Sequence, residues 1–395
     1  MAYTETTSKN WFQRLGEAFK GILIGFVIIA LATWLLWWNE GRTFKTAGAI
    51  GEAELVTQDV KDISKVDPAL EGKVIHAIDR ADTKNILRDP VFGVEINAIN
   101  LEREVEFYQW EEHSHSETRK KLGGGEETVT TYTYEQTWAS NPIDSNSFKD
   151  PSYRGLNTTL AKLDDNTVWA PEINFGAYKL PDFLKHSIGG STPMTLASVD
   201  VNTVKGVITM SEAYSNMYTP EELIHVSGST VYLGPNPGSP SIGDVRVTFS
   251  QTPSAEVSII AQVIRDTFEP FTASNGYTFS RLTMGKIGMA TMFEGARSDN
   301  NLMAWILRVV GVVLVMIGLG MILRPLSVLG DVIPLVGDII GAGTGFVAFL
   351  LGLAWSLIII AIAWIRFRPL IAGGLIAVAL LLVCLSYMKG RKASA

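Results

Sequence analysis

Residues that could do chemistry are few in this 395-residue chain, and they are scattered. The histidines are His76, His113, His115, His186 and His225. His113-Ser114-His115 has the spacing that sets two imidazoles on one face of a strand, which is half of a metal site. No thiol supports it, because the single cysteine, Cys384, lies in a distant apolar stretch. A solvated strand end beside a Gly-rich turn accounts for the same residues without a metal. The chain has no G-x-S-x-G, H-E-x-x-H, P-loop or G-x-G-x-x-G pattern. The expectation is therefore no catalytic, cofactor-binding or metal-binding residue. Asn157-Thr158-Thr159 is a glycosylation sequon, meaningful only in a eukaryotic secretory route.

A second chemical feature is a short acidic repeat. Gly330-Asp331-Val332-Ile333 recurs as Gly337-Asp338-Ile339-Ile340. Seven residues are two helical turns, so a helix would bring Asp331 and Asp338 to one face. Pro334 would kink such a helix. Carboxylates at a membrane span can mark an ion path, but at its edge headgroups and water solvate them. The readings are thus an ion path, or an interfacial hairpin or re-entrant turn. Arg308, one turn inside an apolar stretch, is placed to snorkel toward headgroups.

The elements that carry these residues are mostly apolar helices. Gly21–Trp38, Leu302–Leu323, Ile339–Ile365 and Pro369–Met388 are long enough to cross a ~30 Å hydrocarbon core and are apolar all round. Trp34, Trp37 and Trp38 crowd the far end of the first, as an interfacial aromatic belt would. No small-residue cleavage site follows it, which favours an uncleaved signal anchor over a signal peptide. Residues 1–20 form a short basic segment in which Trp11, Phe12, Leu15, Phe19 and Ile22 fall on one helical face. It is either an interfacial helix or the first turns of the span.

Charge divides with hydropathy. Residues 1–38 and 302–395 together hold ten Lys and Arg against four Asp and Glu, and the middle holds 23 against 36. Basic tails flanking an even number of spans predict cytoplasmic termini. Residues 39–301 then lie across the membrane as an inserted, acidic domain. Its acidity argues against nucleic acid as a partner. Two strand-like runs, Leu101–Glu112 and Glu127–Trp138, flank Leu122–Gly125 and predict a long hairpin with a mobile tip. Asp244–Ser250 and Val257–Ile264 predict a second hairpin around Gln251–Ser254. Short helices are expected at Glu52–Val60, Asp182–Ser187 and Met284–Glu294. The fold class expected is an α+β membrane protein: four transmembrane helices plus a large β-rich extracytoplasmic domain between helices 1 and 2. Residues 324–338 form a Gly/Pro-containing hairpin or re-entrant loop, and 389–395 a basic cytoplasmic tail.

Several stretches carry a family likeness. They are Trp37-Trp38-Asn39-Glu40-Gly41-Arg42, Gly72-Lys73-Val74-Ile75-His76, Asp89-Pro90-Val91-Phe92-Gly93-Val94 and Leu101 to Trp110. Tyr132-Thr133-Tyr134, Trp138, Ile143-Asp144-Ser145 with Phe148, Gly243-Asp244-Val245-Arg246-Val247 and Arg368-Pro369-Leu370 follow in order. In that order, and with four spans, the chain resembles the LUMA family (transmembrane protein 43). The stretch 328–343 looks like a bacterial branch.

The resemblance implies a four-pass protein with a large luminal or periplasmic domain and no established catalytic residue. It implies the bacterial inner membrane, or the endoplasmic reticulum and inner nuclear membrane in animals, where the family self-associates and associates with lamins and emerin. The expected role is a non-enzymatic membrane scaffold whose partners are the lipid bilayer, further copies of itself and other membrane proteins. The rivals are an ion or solute channel or transporter, and a membrane-anchored extracytoplasmic enzyme. Small residues point to helix contacts in lipid. Gly311 and Gly318 share a face, and so do Gly341, Gly345 and Gly352. These stripes would serve either assembly or packing within one subunit.

Overall fold

A computed structural model describes residues 3–369. The fourth apolar stretch beyond Pro369, the basic tail and Cys384 lie outside the described residues. The elements needed below are β1 (Tyr3–Lys9), α1 (Trp11–Val56), β2 (Val74–Asp82), β3 (Asn100–Lys120), β4 (Glu126–Ala139), β5 (Thr230–Leu233), β6 (Val245–Thr252), β7 (Ala255–Ile264), α2 (Met289–Gly330) and α3 (Pro334–Phe367). The class is mixed α and β. Among the described residues, these three helices are long and apolar enough to cross a membrane.

Two sheets pack face to face. One runs β1-β4-β3-β6-β5 and ends on Ile224–Ser227. The other is centred on β7, which pairs with β2 and with Arg281–Met284. The core between them takes alternate side chains from each: Leu101, Val105, Phe107, Val245, Val247 and Phe249 from the first, Ile75, Ala77, Val257, Ile259 and Val263 from the second.

The alternation in β6 and β7 was legible, but the expected hairpin between them does not form. Pro253-Ser254 joins the strands, yet β6 pairs with β3 and β5. The chain turns a corner and changes sheet. The reason lies in β7, where Val257 to Ala261 are buried on both faces. One face meets the sandwich core; the other meets helix, with Ile260 against Ile50, Ala53, Met292 and Phe293.

That second contact explains the helix lengths. α1 continues 18 residues past Trp38, and α2 begins 13 residues before Leu302. Both extensions lie on the outer face of the β7 sheet, where they bury apolar surface. The short helices expected at Glu52–Val60 and Met284–Glu294 are pieces of these long ones, flanked by short strands. Only Asp182–Lys185 stands as a separate turn of helix. At its start α1 is one unbroken helix from Trp11, closed by a capping box between Asn10 and Gln13. The residues before it form a strand, β1, which runs along β4 from Tyr132 to Glu126.

α1 and α2 are antiparallel and very close. A Cβ on Gly25 would lie 2.6 Å from the Gly318 carbonyl oxygen, and one on Gly311 would lie 2.5 Å from Leu36. The turn between α2 and α3 is short: α2 runs to Gly330 and α3 starts at Pro334, with Pro in the first helical turn where its missing N–H costs nothing. Residues 324–338 are therefore helix, a tight turn and helix, which has the form of a hairpin.

Several residues behind the family likeness hold this core. Arg103 donates to Asp89 Oδ2 at 2.6 Å, and Asp89 Oδ1 accepts from the Val91 and Phe92 amides. Both side chains are buried. Asp244, also buried, accepts from the Tyr232 hydroxyl and the Ser241 amide. Burial pushes its carboxyl above the usual range, and these hydrogen bonds pull it part of the way back. Replacing Arg103 with Met should destabilise the domain by about 3–5 kcal/mol, because Asp89 is left charged and buried. Replacing Asp89 with Asn as well should recover part of that loss. Urea unfolding followed by tryptophan fluorescence reads these and Asp89→Asn alone; a double-variant loss equal to the sum of the two single losses would mean the pair is not coupled.

Candidate functional site

Two charge clusters cap the helices, one at each end. At the end near the soluble domain, Glu40 of α1 is 1 % exposed and accepts two hydrogen bonds from Arg308 of α2, at 2.6 and 2.9 Å. Trp364 of α3 donates to the same carboxylate at 2.8 Å. The Arg308 guanidinium also lies over Trp305, 5.0 Å from the ring centre. Arg308 therefore turns inward to a partner instead of snorkelling to headgroups. Beside this pair, Asn39 donates to the Ala304 carbonyl and Asn300 to the Thr43 carbonyl, both at 3.0 Å. Gly41 lets the Phe367 ring approach; a Cβ there would be 2.8 Å from it. One helix from each strand of chain is thus fixed in register.

The second cluster joins three distant parts of the sequence. Arg14 of α1 is 6 % exposed and donates to Asp331 Oδ2 at 2.5 Å and to the Gly124 carbonyl at 2.5 Å. Its Nε is 2.9 Å from Glu126, an ion pair with an angle too bent for a hydrogen bond. Lys120 donates to both Asp331 and Asp338 at 2.7 Å. The Gly123 amide donates to the Val332 carbonyl at 3.1 Å, and Trp11 Nε1 to the Val328 carbonyl at 2.9 Å.

Asp331 and Asp338 are thus brought together, but through Lys120 rather than on one helix face. Asp331 sits in the turn after α2 and Asp338 in the start of α3. The β3–β4 tip expected to be mobile is docked here. Gly123 and Gly124 have φ of +87° and +80°, a left-handed turn that lays the tip flat. A Cβ on Gly124 would run into the Trp11 ring.

The aromatic and glycine candidates divide between inside and outside. All three tryptophans are exposed: Trp37 lies 5.7 Å from the Phe367 ring, and Trp34 and Trp38 stack on each other at 6.0 Å. Gly311 and Gly318 face α1; Gly352 faces Met316 of α2, with 2.7 Å to a built Cβ; Gly341 faces Ser327 at 3.0 Å. These four pack helices of one chain. Gly345 has nothing within 4 Å.

The soluble domain brings a serine, a histidine and an aspartate near one another without making a catalytic arrangement. Buried His76 pairs with Asp59 through Nδ1 at 2.7 Å and meets the Ile287 carbonyl through Nε2 at 3.0 Å. Ser258 donates to the Gly285 carbonyl and accepts from the Ile287 amide. All of these hold the strand that leads into α2, and no hydroxyl is left against an imidazole. His113 pairs with Glu135 at 3.0 Å on an exposed face. Among the described residues no three metal-ligating side chains converge. Asn157 accepts from the Trp110 amide and donates to the Trp110 and Ile143 carbonyls, so a glycan on its nitrogen would break local structure.

Sequence reasoning missed Arg14, Glu40, Lys120 and Glu126. The signal for Glu40 was present: a carboxylate just past one span and an arginine just inside the next fit an antiparallel pair. Nothing in the sequence links Lys120 to Asp331, 211 residues away.

The docked tip gives a measurable consequence. Purified folded protein should resist trypsin after Lys120. Asp331→Ala leaves Arg14 and Lys120 without their buried partner, a loss of about 3–5 kcal/mol, and should raise cleavage at Arg119–Lys121 at least tenfold. Rapid cleavage of the wild type at that tip would show that the cluster does not hold it.

Comparison with known proteins converges on one family. The model of the family Transmembrane protein 43 matches residues 107–369. Transmembrane protein 43 of Rattus norvegicus is 28% identical over 380 residues, covering 94% of this chain and 90% of its own. The Homo sapiens protein is 28% identical over 378 residues, 93% and 89% of the two chains. The Drosophila melanogaster homolog is 24% identical over 372 residues, 90% of each. No solved structure matches. The matched region begins at the base of the β3–β4 hairpin and ends at the close of α3, so the fold described above is the part recognised, and this chain belongs to the Transmembrane protein 43 family.

Proposed function

We propose that this integral membrane protein is a non-enzymatic scaffold that self-assembles and organises other membrane proteins or membrane domains. The observation that carries the proposal is the use made of charge at the helices. Glu40 is held by Arg308 and Trp364; Asp331 is held by Arg14 and Lys120. Ion transport through the helices needs a carboxylate that can exchange its partner, and catalysis needs a base free to take a proton. Both carboxylates are instead fixed structural links. Among the described residues the outward surfaces of the three helices are broad and apolar, with Phe346, Phe349 and Leu350 exposed beside Gly345. Such surfaces suit lateral contact in lipid, where small residues permit close approach.

For a bacterial member we place the protein in the inner membrane. The bulk of the β domain is then periplasmic and the start of α1 cytoplasmic, following the basic residues around that end. The lamin and emerin association of animal relatives has no counterpart there, so self-assembly is the part that transfers.

Gly345 separates assembly from internal packing, because it alone of the candidate glycines has nothing within 4 Å of a built Cβ among the described residues. Gly345→Leu should lower the particle mass in mild detergent by at least half without changing the melting of the soluble domain. Gly352→Leu should disturb the α2–α3 contact and lower thermal stability. A wild-type mass of one chain at micromolar concentration in mild detergent would overturn the assembly reading.

A further inference from the structure

The β3–β4 hairpin leaves the soluble core and continues as a ribbon. β3 pairs with β6 only as far as Phe107, which faces Ala139 of β4. Beyond that point 13 residues of each strand, 108–120 and 126–138, pair with each other down to the tip. At about 3.3 Å per residue the ribbon is roughly 43 Å long. Its base is in the domain core, and its tip is on Arg14, Asp331 and Asp338. Between those two levels lie the apolar stretches of α1, α2 and α3. A bilayer placed around the apolar stretches therefore has the ribbon's base on one side and its tip on the other. With headgroups such a bilayer is about 40–45 Å thick, close to the ribbon's length.

Nothing about the ribbon suits lipid. Glu111 to Lys120 contains no aliphatic side chain, and Glu126 to Thr133 contains only Val129 and Tyr132 as apolar or aromatic groups. β1 covers one edge of β4 from Glu126 to Tyr132, but its own outer edge has no strand beside it among the described residues. The outer edge of β3 is likewise without a strand beyond Phe107. In hydrocarbon each unpaired backbone group costs several kcal/mol, which is why strands cross membranes only in closed barrels.

The ribbon's faces differ. Lys120 and Glu126 reach the helices, so alternation places Glu112, Ser114, Ser116 and Thr118 of β3 and Thr128, Thr130, Tyr132 and Tyr134 of β4 on that same side. Ser116–Thr130 and Thr118–Thr128 are hydrogen-bonded pairs there. The opposite face carries Glu111, His113, His115, Glu117, Arg119, Glu127 and Glu135. Between Ser114 and Thr118 the helix side carries small hydroxyls and Tyr132, with Glu112 above them and Lys120 and Glu126 below; most of the remaining charge is on the opposite side.

We propose that the ribbon crosses the membrane inside a ring of copies of this chain, and that the free edge of β1 in one copy pairs with the free edge of β3 in the next. Both strands are antiparallel to β4, so they run parallel to each other. A rotation about an axis along the ribbon brings β1 of one copy beside β3 of its neighbour in parallel pairing. The contact is head-to-tail and closes on itself, as cyclic assemblies require. Closure pairs β1 with the β3 edge over the tip half of the ribbon, the part that β1 reaches, and it sets the ribbon on enclosed water and lipid on the outer helix surfaces. This deepens the self-assembly reading above and rests on it.

Cross-linking tests the pairing, and labelling tests the crossing. In a Cys384→Ser background, Thr7→Cys is combined in turn with Ser114→Cys, Ser116→Cys and Thr118→Cys. Within one chain β4 separates these positions by about two strand spacings, roughly 10 Å, too far for a disulfide. Oxidation in membranes should give a ladder of dimers and larger species for at least one pair, and none for the single variants. Leu122→Cys at the exposed tip and Ser147→Cys in the domain should label with a membrane-impermeant maleimide from opposite sides of sealed vesicles. His115→Cys should label once the reagent reaches the enclosed water. A multi-copy mass in mild detergent with no ladder for any pair would overturn edge pairing while leaving assembly intact. A single-chain mass would overturn both. Labelling of Leu122→Cys and Ser147→Cys from the same side would show that the ribbon does not cross.

Discussion

The docking of the long hairpin on the helices depends on one constraint: a carboxylate taken out of water must meet a cation. Asp331 is the clearest case. It lies 1 % exposed at the helix turn, and two cations from remote parts of the chain converge on it. An isolated buried carboxylate would cost several kcal/mol or would protonate. Arg14 and Lys120 remove that cost, and in doing so they set where α1 begins and where the hairpin ends. Glu40 and Arg308 do the same at the other end. Between the two clusters the α1–α2 seam has no polar side-chain contact to set it. There the close approach at Gly25 and Gly318 fixes the helix spacing. Charge sets the register and glycine sets the distance.

The two clusters are about 26 residues apart along α1, or roughly 40 Å at 1.5 Å per residue. A helix pair pinned at both ends over that length cannot slide without breaking a buried ion pair. The extensions of α1 and α2 then carry this rigidity into the soluble domain, because Ile50, Ala53, Met292 and Phe293 belong to the same cluster as Ile260 of β7. The domain and the helices thus share one packed unit, and the hairpin tip closes it from the far side.

Local features of this architecture were legible in the sequence; long-range ones were not. Apolar runs and tryptophans located the helices, and alternation at Leu101 to Phe107 and Val245 to Phe249 located core strands. The extension of α1 to Val56 was hidden, because residues 39–56 mix Glu, Arg, Lys and Gly with a thin apolar stripe that only the β7 sheet makes meaningful. The β6–β7 corner was hidden for a related reason. Alternation says which face is buried, and it does not say which strand lies alongside. The tip misled most. Three glycines between charged pairs have the composition of a mobile loop, but the same glycines let the backbone lie against Trp11, and the same charges find Asp331 and Asp338.

The stretches that carry the family likeness have structural work to do. Asp89 and Arg103 pair in the core, Asp244 and Arg246 tie β6 to Tyr232 and Glu106, and Glu40 with Gly41 fixes all three helices. None of them opens onto a cleft with a free base or nucleophile. The framework presents two surfaces, the apolar outer faces of the described helices and the polar ribbon. These two surfaces demand opposite surroundings at the same depth. One chain in a lipid bilayer cannot give the helices hydrocarbon and the ribbon water on all sides, whereas a ring of chains gives each surface its own solvent. The conflict within a single copy is the physical ground on which the proposed assembly rests.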